Sequence, residues 1–536
     1  MEFKLPIQYI EHHTLSDTIR DDLEINTCYK NILGDSKLLG QWTNYYTSSK
    51  TFLENTQQVI KNIDINPINN EEMLESYDIF NSETNFNDKY QYMNIKLLEP
   101  MNHSILFLQA LSLYNISSPI FSLITPIFIF IVPFFILRFK NIQISGSEYT
   151  NLLQNMLKNT NMYRLFYSND SITFQQKTSV FVSVIFYIFQ IYQNIISCIQ
   201  FYHNIHSISE FIGSYKKYCI ESICQIDKLN SQLEPYETYD LFVKENNNNK
   251  SVLQNIVNRL ALVFPYSNTF SRLTQIGYIM SLYYSLFYNT EYDRAFVYSK
   301  YLNEFVKDLN SFKSKHKFKK INISTFKETK TKMKSSYYLA NINDKPIKNN
   351  ITIDKNIIIT GPNASGKTTL LKSVLLNIIM SQQFGMGCYK RANIHLYKQF
   401  HSYLNIPDTS GRDSLFQAEA RRCKDILENI ETNVKDRHFC IFDELYSGTN
   451  PNDAILCAEI YLKGLFQFKC VDFILTTHYI QLCEKLDKSV SNFKMNVIEN
   501  KDNIKYLYKI EKGISYVHGG KQILKDLNYP EYLFLL

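Results

Sequence analysis

The residues best equipped for chemistry form one stretch, Gly361-Pro362-Asn363-Ala364-Ser365-Gly366-Lys367-Thr368. It fits the pattern G-x-x-x-x-G-K-[ST] in full. Two glycines let the backbone curl so that its N–H groups turn inward on a phosphate. A helix starting near Lys367 adds the positive end of its dipole. Lys367 can reach the β- and γ-phosphates, the Thr368 hydroxyl can ligate Mg²⁺, and Thr369 follows in the first turn. This is the chemistry of nucleoside triphosphate binding.

Other residues would have to converge on this loop. Arg437 to Glu444 reads RHFCIFDE, a buried strand ending in two acids. Asp443 stands where a carboxylate would hold Mg²⁺ with Thr368, and Glu444 where a base would orient an attacking water. Phe473 to Tyr479 reads FILTTHY, a further strand followed at once by His478. A neutral imidazole there can donate one hydrogen bond to a γ-phosphate and register its loss. The loop itself is entered from Ile357-Ile358-Ile359, a β-branched run suited to a strand buried on both faces.

The C-terminal part of the chain resembles the ATPase domain of the MutS family of ABC-type ATPases. The residues that carry the likeness are ITGPNASGKTT, DELYSGTNP, TTHY and GISYVHGGKQILKDLNYP. The resemblance implies ATP and Mg²⁺ as cofactors, DNA as a partner, and a dimer, a homodimer for a single chain, in which each nucleotide is completed by the opposite subunit. It implies a phosphate contact for Asn363 and a Q-loop role for Gln382. It also implies a trans contact for Ser414, within a loose version of the signature region that includes Gly411 and Phe416. The LSGGQ signature of transporters is absent, and no Phe-x-Glu stands where the family reads mismatches. The expected activity is ATP-dependent binding of mismatched or branched DNA in repair or recombination, with hydrolysis driving a dimer clamp.

The 536 residues carry a net charge of +6, which allows nucleic acid or an anionic membrane as partner without requiring either. Ten cysteines without a C-x-x-C pair suggest reduced thiols in a cytoplasm- or nucleus-like compartment. The expected fold is multidomain: a mostly α-helical core and lever region followed by an α/β P-loop ATPase domain. The expected boundaries are an N-terminal helical or α+β module over 1–115, a helical region over 116–336, and the ATPase over 337–536. Glu245 to Lys250, ENNNNK, reads as a turn between helices. Lys313 to Lys334 holds nine lysines and one glutamate, either a phosphate-contacting patch or a solvated, partly flexible helix end or linker.

Two uncharged runs stand apart. Residues 119–137 read PIFSLITPIFIFIVPFFIL, closed by Arg138 and Lys140, and as a helix they span about 28 Å. Residues 178–202 carry Gln190, Gln193, Asn194 and Gln200 among apolar residues. They read either as membrane segments, giving a membrane-anchored ATPase with DNA binding secondary or lost, or as two central core helices. The connection between them is basic, which by charge bias would place it in the cytoplasm, opposite a nucleotide domain that also needs the cytoplasm.

Overall fold

The structure is a computed structural model. It describes residues 3–140, 142, 144–158, 174–263, 273–328, 330–404, 406, 414–499, 504–517, 519, 520, 524, 527, 529 and 530. The chain folds as two compact units, each assembled from separated stretches. Unit 1 comprises Met1–Pro67, Cys224–Asn249 and Tyr298–Leu536, and unit 2 comprises Ile68–Ile223 and Lys250–Val297.

The expected boundaries differ from this division. The first 67 residues are no separate module but build into unit 1. Their ribbon, β1 (His13–Thr14) with β2 (Tyr45–Tyr46), and the Lys50–Asn62 helix lie among later residues. Gln57 Nε2 donates to Ser324 O and Gly385 O, both at 2.8 Å. Trp42 Nε1 donates to Asp308 at 2.7 Å, and Tyr46 OH to Lys398 O at 2.7 Å. These partners lie hundreds of residues away, so no local period announces them.

Besides the β1–β2 ribbon, the described residues of unit 1 form two larger sheets. The five-stranded one runs β5 (Asn349–Ile353), β4 (Thr331–Ser336), β8 (Arg391–Ile394), β3 (Asn322–Phe326), β7 (Met386–Gly387). The six-stranded one runs β13 (Ile504–Lys512), β12 (Ser491–Glu499), β6 (Ile357–Thr360), β11 (Val471–Thr477), β10 (His438–Asp443), β9 (Gln399–Tyr403). Its pairings are parallel except β12 with β13. Ile357 to Ile359, Phe439 to Phe442 and Phe473 to Leu475 are almost wholly buried, as parallel strands covered on both faces require. The first stretch of the expected ATPase region, residues 337–354, supplies β5 to the five-stranded sheet, paired antiparallel with β4.

Two more expectations are corrected in unit 1. ENNNNK is no turn but lies inside the Asp240–Ala261 helix. Asn246 is fully buried, donating to Asn230 Oδ1 at 2.7 Å and accepting from Tyr298 OH at 2.6 Å. Asparagine's poor helix propensity is overridden because its amide is satisfied by side chains from other helices. The lysine run is no linker either. It spans the end of the Thr290–Lys317 helix, β3 and β4.

Unit 2 is helical in its described residues apart from connections. Its core is aromatic: Phe86 stacks on Phe287 at 3.8 Å and Tyr77 on Phe296 at 3.9 Å. Both uncharged runs are helical, within Ile105–Phe139 and Phe174–Leu233. They are not core helices, since Phe121, Leu123, Phe128, Ile185, Phe186 and Phe189 are all exposed.

Candidate functional site

The loop at Gly361 leaves β6 at the carboxyl end of the parallel strands and enters the Lys367–Phe384 helix. Its turn needs left-handed backbone at Ala364 (φ 62°) and Gly366 (φ 91°). A Cβ on Gly366 would stand 3.0 Å from Tyr508, and one on Gly361 would stand 2.8 Å from Ser365 Oγ. Gly366 is therefore held by torsion and by shape, and Gly361 by shape alone.

The helix and two strands, β10 and β11, deliver the remaining groups. Thr368, one residue into the helix, donates its hydroxyl to Asp443 Oδ2 at 2.6 Å. Thr476 on β11 donates to the other oxygen, Oδ1. Asp443 is thereby fixed from both sides, with its carboxylate beside the hydroxyl expected to share a cation. Glu444 follows in left-handed backbone (φ 55°), an uncommon state for a residue with a Cβ and one concentrated at functional sites. Its Oε1 lies 2.7 Å from His478 Nε2 and 3.7 Å from Lys367 Nζ. Lys367 is 6% exposed, donates to Gly361 O at 3.0 Å and stands 3.3 Å from His478. Burial lowers the Lys367 pKa, and the facing Glu444 and Asp443 oppose the shift. The hydrogen bond from His478, with help from Lys367, holds the Glu444 carboxyl below its ordinary range.

Asn363, Ala364, Ser365, Gly366, Lys367, Thr368, Thr369 and Glu444 all line one cavity of about 690 Å³. Pro362 lines a second one of about 370 Å³ with His478 and Gly519. Ser365 Oγ is buried with no hydrogen-bond partner among the described residues. A buried unpaired hydroxyl inside a loop that curls toward a cavity suits an anionic oxygen. The donor set, with a lysine, a helix N-terminus, a threonine hydroxyl and an aspartate, fits a magnesium-bound triphosphate.

Two expected site residues lie elsewhere. Gln382 is a correction: it sits near the far end of the Lys367–Phe384 helix, wholly buried. Its amide donates to Thr47 O and Tyr397 O and accepts from Tyr397 N. A side chain so occupied ties helix to loop and is not free to meet a ligand. Ser414 is absent from both cavities. It caps the Leu415–Thr432 helix, exposed, in a reciprocal box with Gln417. Gly411 lies outside the described residues.

Several contributors escaped the sequence reading. Tyr337, Tyr338, Asn349 and Tyr508 line the larger cavity from the β4–β5 region and from β13. Ser515 N donates to Thr360 Oγ1 at 2.7 Å, seating the C-terminal segment beside the loop. Glu419, 2% exposed, accepts from Ser447 N, Ser447 Oγ and Gly448 N at 2.8 to 3.1 Å. A Cβ on Gly448 would stand 2.8 Å from Leu415 and Phe416 N. The SGTNP stretch and the helix led by Ser414 are thus locked together. A carboxylate four residues beyond two apolar ones looks like an ordinary surface residue, so only the tertiary contact exposes it.

Residues 357–534 match the family model described as MutS domain V. The DNA mismatch repair protein MutS of Persephonella marina is 28% identical over 193 residues, covering 35% of this chain and 22% of that protein. MutS protein homolog 4 of Homo sapiens is 33% identical over 190 residues, 32% of this chain and 19% of that protein. DNA mismatch repair protein Msh3 of Dictyostelium discoideum is 30% identical over 193 residues, 33% of this chain and 13% of that protein. The matched part thus spans about a fifth or less of these relatives' length.

Proposed function

This chain belongs to the MutS family through its residues 357–534, and from that premise we propose that it is an ATP hydrolase whose nucleotide state controls a DNA-holding dimer. The observation that carries the reading is the meeting of Thr368, Asp443, Glu444 and His478 with Lys367 at one loop.

Bound Mg²⁺ would supply charge neutralisation at the phosphates, with Thr368 and Asp443 as its holders. Lys367 and the loop N–H groups bind and orient phosphate oxygens. Glu444 Oε1 orients water and accepts its proton, and the depressed pKa keeps that oxygen ionised at neutral pH. His478 positions the carboxylate through their 2.7 Å contact.

The likeness to the MutS family and the exposed position of Ser414 at the start of its helix support a dimer, in which Ser414 completes a partner's site. DNA contact is supported by Lys332, Lys334 and Arg391. All three are exposed on adjacent strands, with Lys334 opposite Arg391 in register. Like charges placed directly opposite are unfavourable unless an anion relieves them. Such contacts grip phosphates without reading sequence.

The test uses purified full chain. Lys367→Ala should abolish binding of fluorescent ATP. Glu444→Gln should retain binding and lose turnover by a hundredfold or more, on the order of a lost catalytic base. Unchanged hydrolysis in Glu444→Gln would remove it from the base role.

A further inference from the structure

We propose that the helical hairpin formed by residues 105–139 and 174–202 is embedded in a lipid bilayer. The observations behind it lie in unit 2 and do not depend on what the loop at Gly361 binds; only the sidedness of the hairpin rests on the proposed ATP binding.

The two helices are long and apolar enough to cross a membrane, and in the most apolar stretch of the second no residue is buried. Polar contacts join the two helices and most of the large outward side chains are apolar, the reverse of a water-soluble helix pair; Thr125, Ser183, Gln190 and Gln193 are exposed among them. Ser122, 8% exposed, sits between the helices. Its carbonyl accepts from Tyr187 OH at 2.9 Å and its hydroxyl from Asn194 Nδ2. Cys198 Sγ donates to Ile116 O at 3.4 Å. Two further hydroxyls bond back along their own helix: Thr125 to Phe121 O at 2.6 Å and Ser183 to Ser179 O at 2.9 Å. Hydrocarbon, which offers no hydrogen bonds, requires this pattern. Outward point Ile120, Phe121, Phe128, Ile131, Phe135 and Ile136 from one helix. Phe181, Ile185, Phe186, Ile188 and Phe189 do so from the other. They spread over roughly half the circumference of each helix. A protein partner covers one face of such a pair, whereas a bilayer covers every free face.

Height decides the occupant. The contacts of Ser122 and Ile116 set the antiparallel register, so residues 119–137 lie alongside roughly 176–194. Residues 119–135 and 178–194 therefore form one uncharged belt about 25 Å tall, close to the hydrocarbon thickness of a bilayer, and residues 195–202 of the second run extend past it. Just inside that border Tyr192 is exposed, and Tyr114 and Tyr202 are exposed beyond it, spread over about 15 Å of interface where amphipathic rings settle. Gln190 and Gln193 are exposed within about one turn of the same border. At the other border the Arg138 guanidinium lies 5.7 Å over the Phe134 ring, and Lys140 follows. Two crossings return the chain to the side it left, so residues before 119 and after 202 share one side. The basic connection favours the cytoplasm, and a nucleotide domain that must stay with ATP overrides that bias.

The test uses full chain reconstituted from detergent into mixed phosphatidylcholine and phosphatidylserine vesicles, then floated and washed with alkaline carbonate. The variant is Phe128→Lys with Ile185→Lys, two exposed mid-belt positions at one height. Each lysine there lowers insertion by roughly two orders of magnitude. The expected result is that wild type floats and resists carbonate while the variant stays in the dense fraction. Retained ATP binding and helical circular dichroism establish that the variant is folded. Wild type that is monodisperse without detergent and fails to float overturns the proposal. So does a soluble dimer that the variant disperses, since the face would then join two copies. Equal flotation of both proteins overturns it too, because attachment would lie elsewhere.

Discussion

His478 shows how one contact sets both geometry and protonation. Its hydrogen bond is the largest influence holding the Glu444 carboxyl below the usual range, ahead of the charge of Lys367. A depressed carboxylate pKa means the ionised form persists to lower pH, and activity that needs it is lost only as pH falls through that value. His478→Ala removes the leading influence, so the Glu444 pKa rises toward its ordinary value. The acid limb of the hydrolysis rate should move to higher pH, and a rate profile under saturating ATP checks it. An unmoved limb would separate His478 from the protonation of Glu444. The residues of this site were legible because phosphate chemistry dictates both type and spacing at Gly361, Lys367, Thr368 and Asp443. Glu419 and Gln382 were not, because a buried amide or carboxylate is defined by partners outside its own element.

Elements were legible where burial is symmetrical and local. The runs at Ile357, Phe439 and Phe473 are buried on both faces and read directly as strands. The asparagine run at 246–249 misled, since its helix is stabilised from outside by Asn230 and Tyr298. Close approach between elements was equally silent. Gly277 begins the Ile276–Tyr288 helix, and a Cβ there would stand 2.5 Å from Gln109 N and Ile105 O. Those are backbone atoms, which cannot rotate aside. Gly277→Ala should therefore push the root of the first hairpin helix away and cost roughly 1–3 kcal/mol. Urea denaturation followed by circular dichroism would register it, and a wild-type midpoint would contradict the packing.

At the scale of the whole molecule the question is grip. If Lys332, Lys334 and Arg391 meet phosphates, DNA affinity should fall steeply as salt rises. Reversing the three charges should lower affinity across all sequences and flatten the salt slope by roughly one for each contact removed. Anisotropy titrations over a range of salt would measure both, with branched and perfect duplexes compared in parallel. Affinity that ignores salt would argue against a phosphate grip. The residues that match MutS domain V, 357–534, all lie in unit 1.

The amino-acid sequence by itself determined the phosphate loop, the acids after β10 and the two uncharged runs. In each, a local spacing or an unbroken apolar stretch is the physical requirement. Only the tertiary structure decided that the first 67 residues complete unit 1, that Gln382 braces a helix, and that Glu419 locks SGTNP to the Ser414 helix. It also decided which way the two apolar helices face. Polarity along a chain is set residue by residue, but whether Ser122 and Asn194 turn toward each other depends on a register between helices some seventy residues apart.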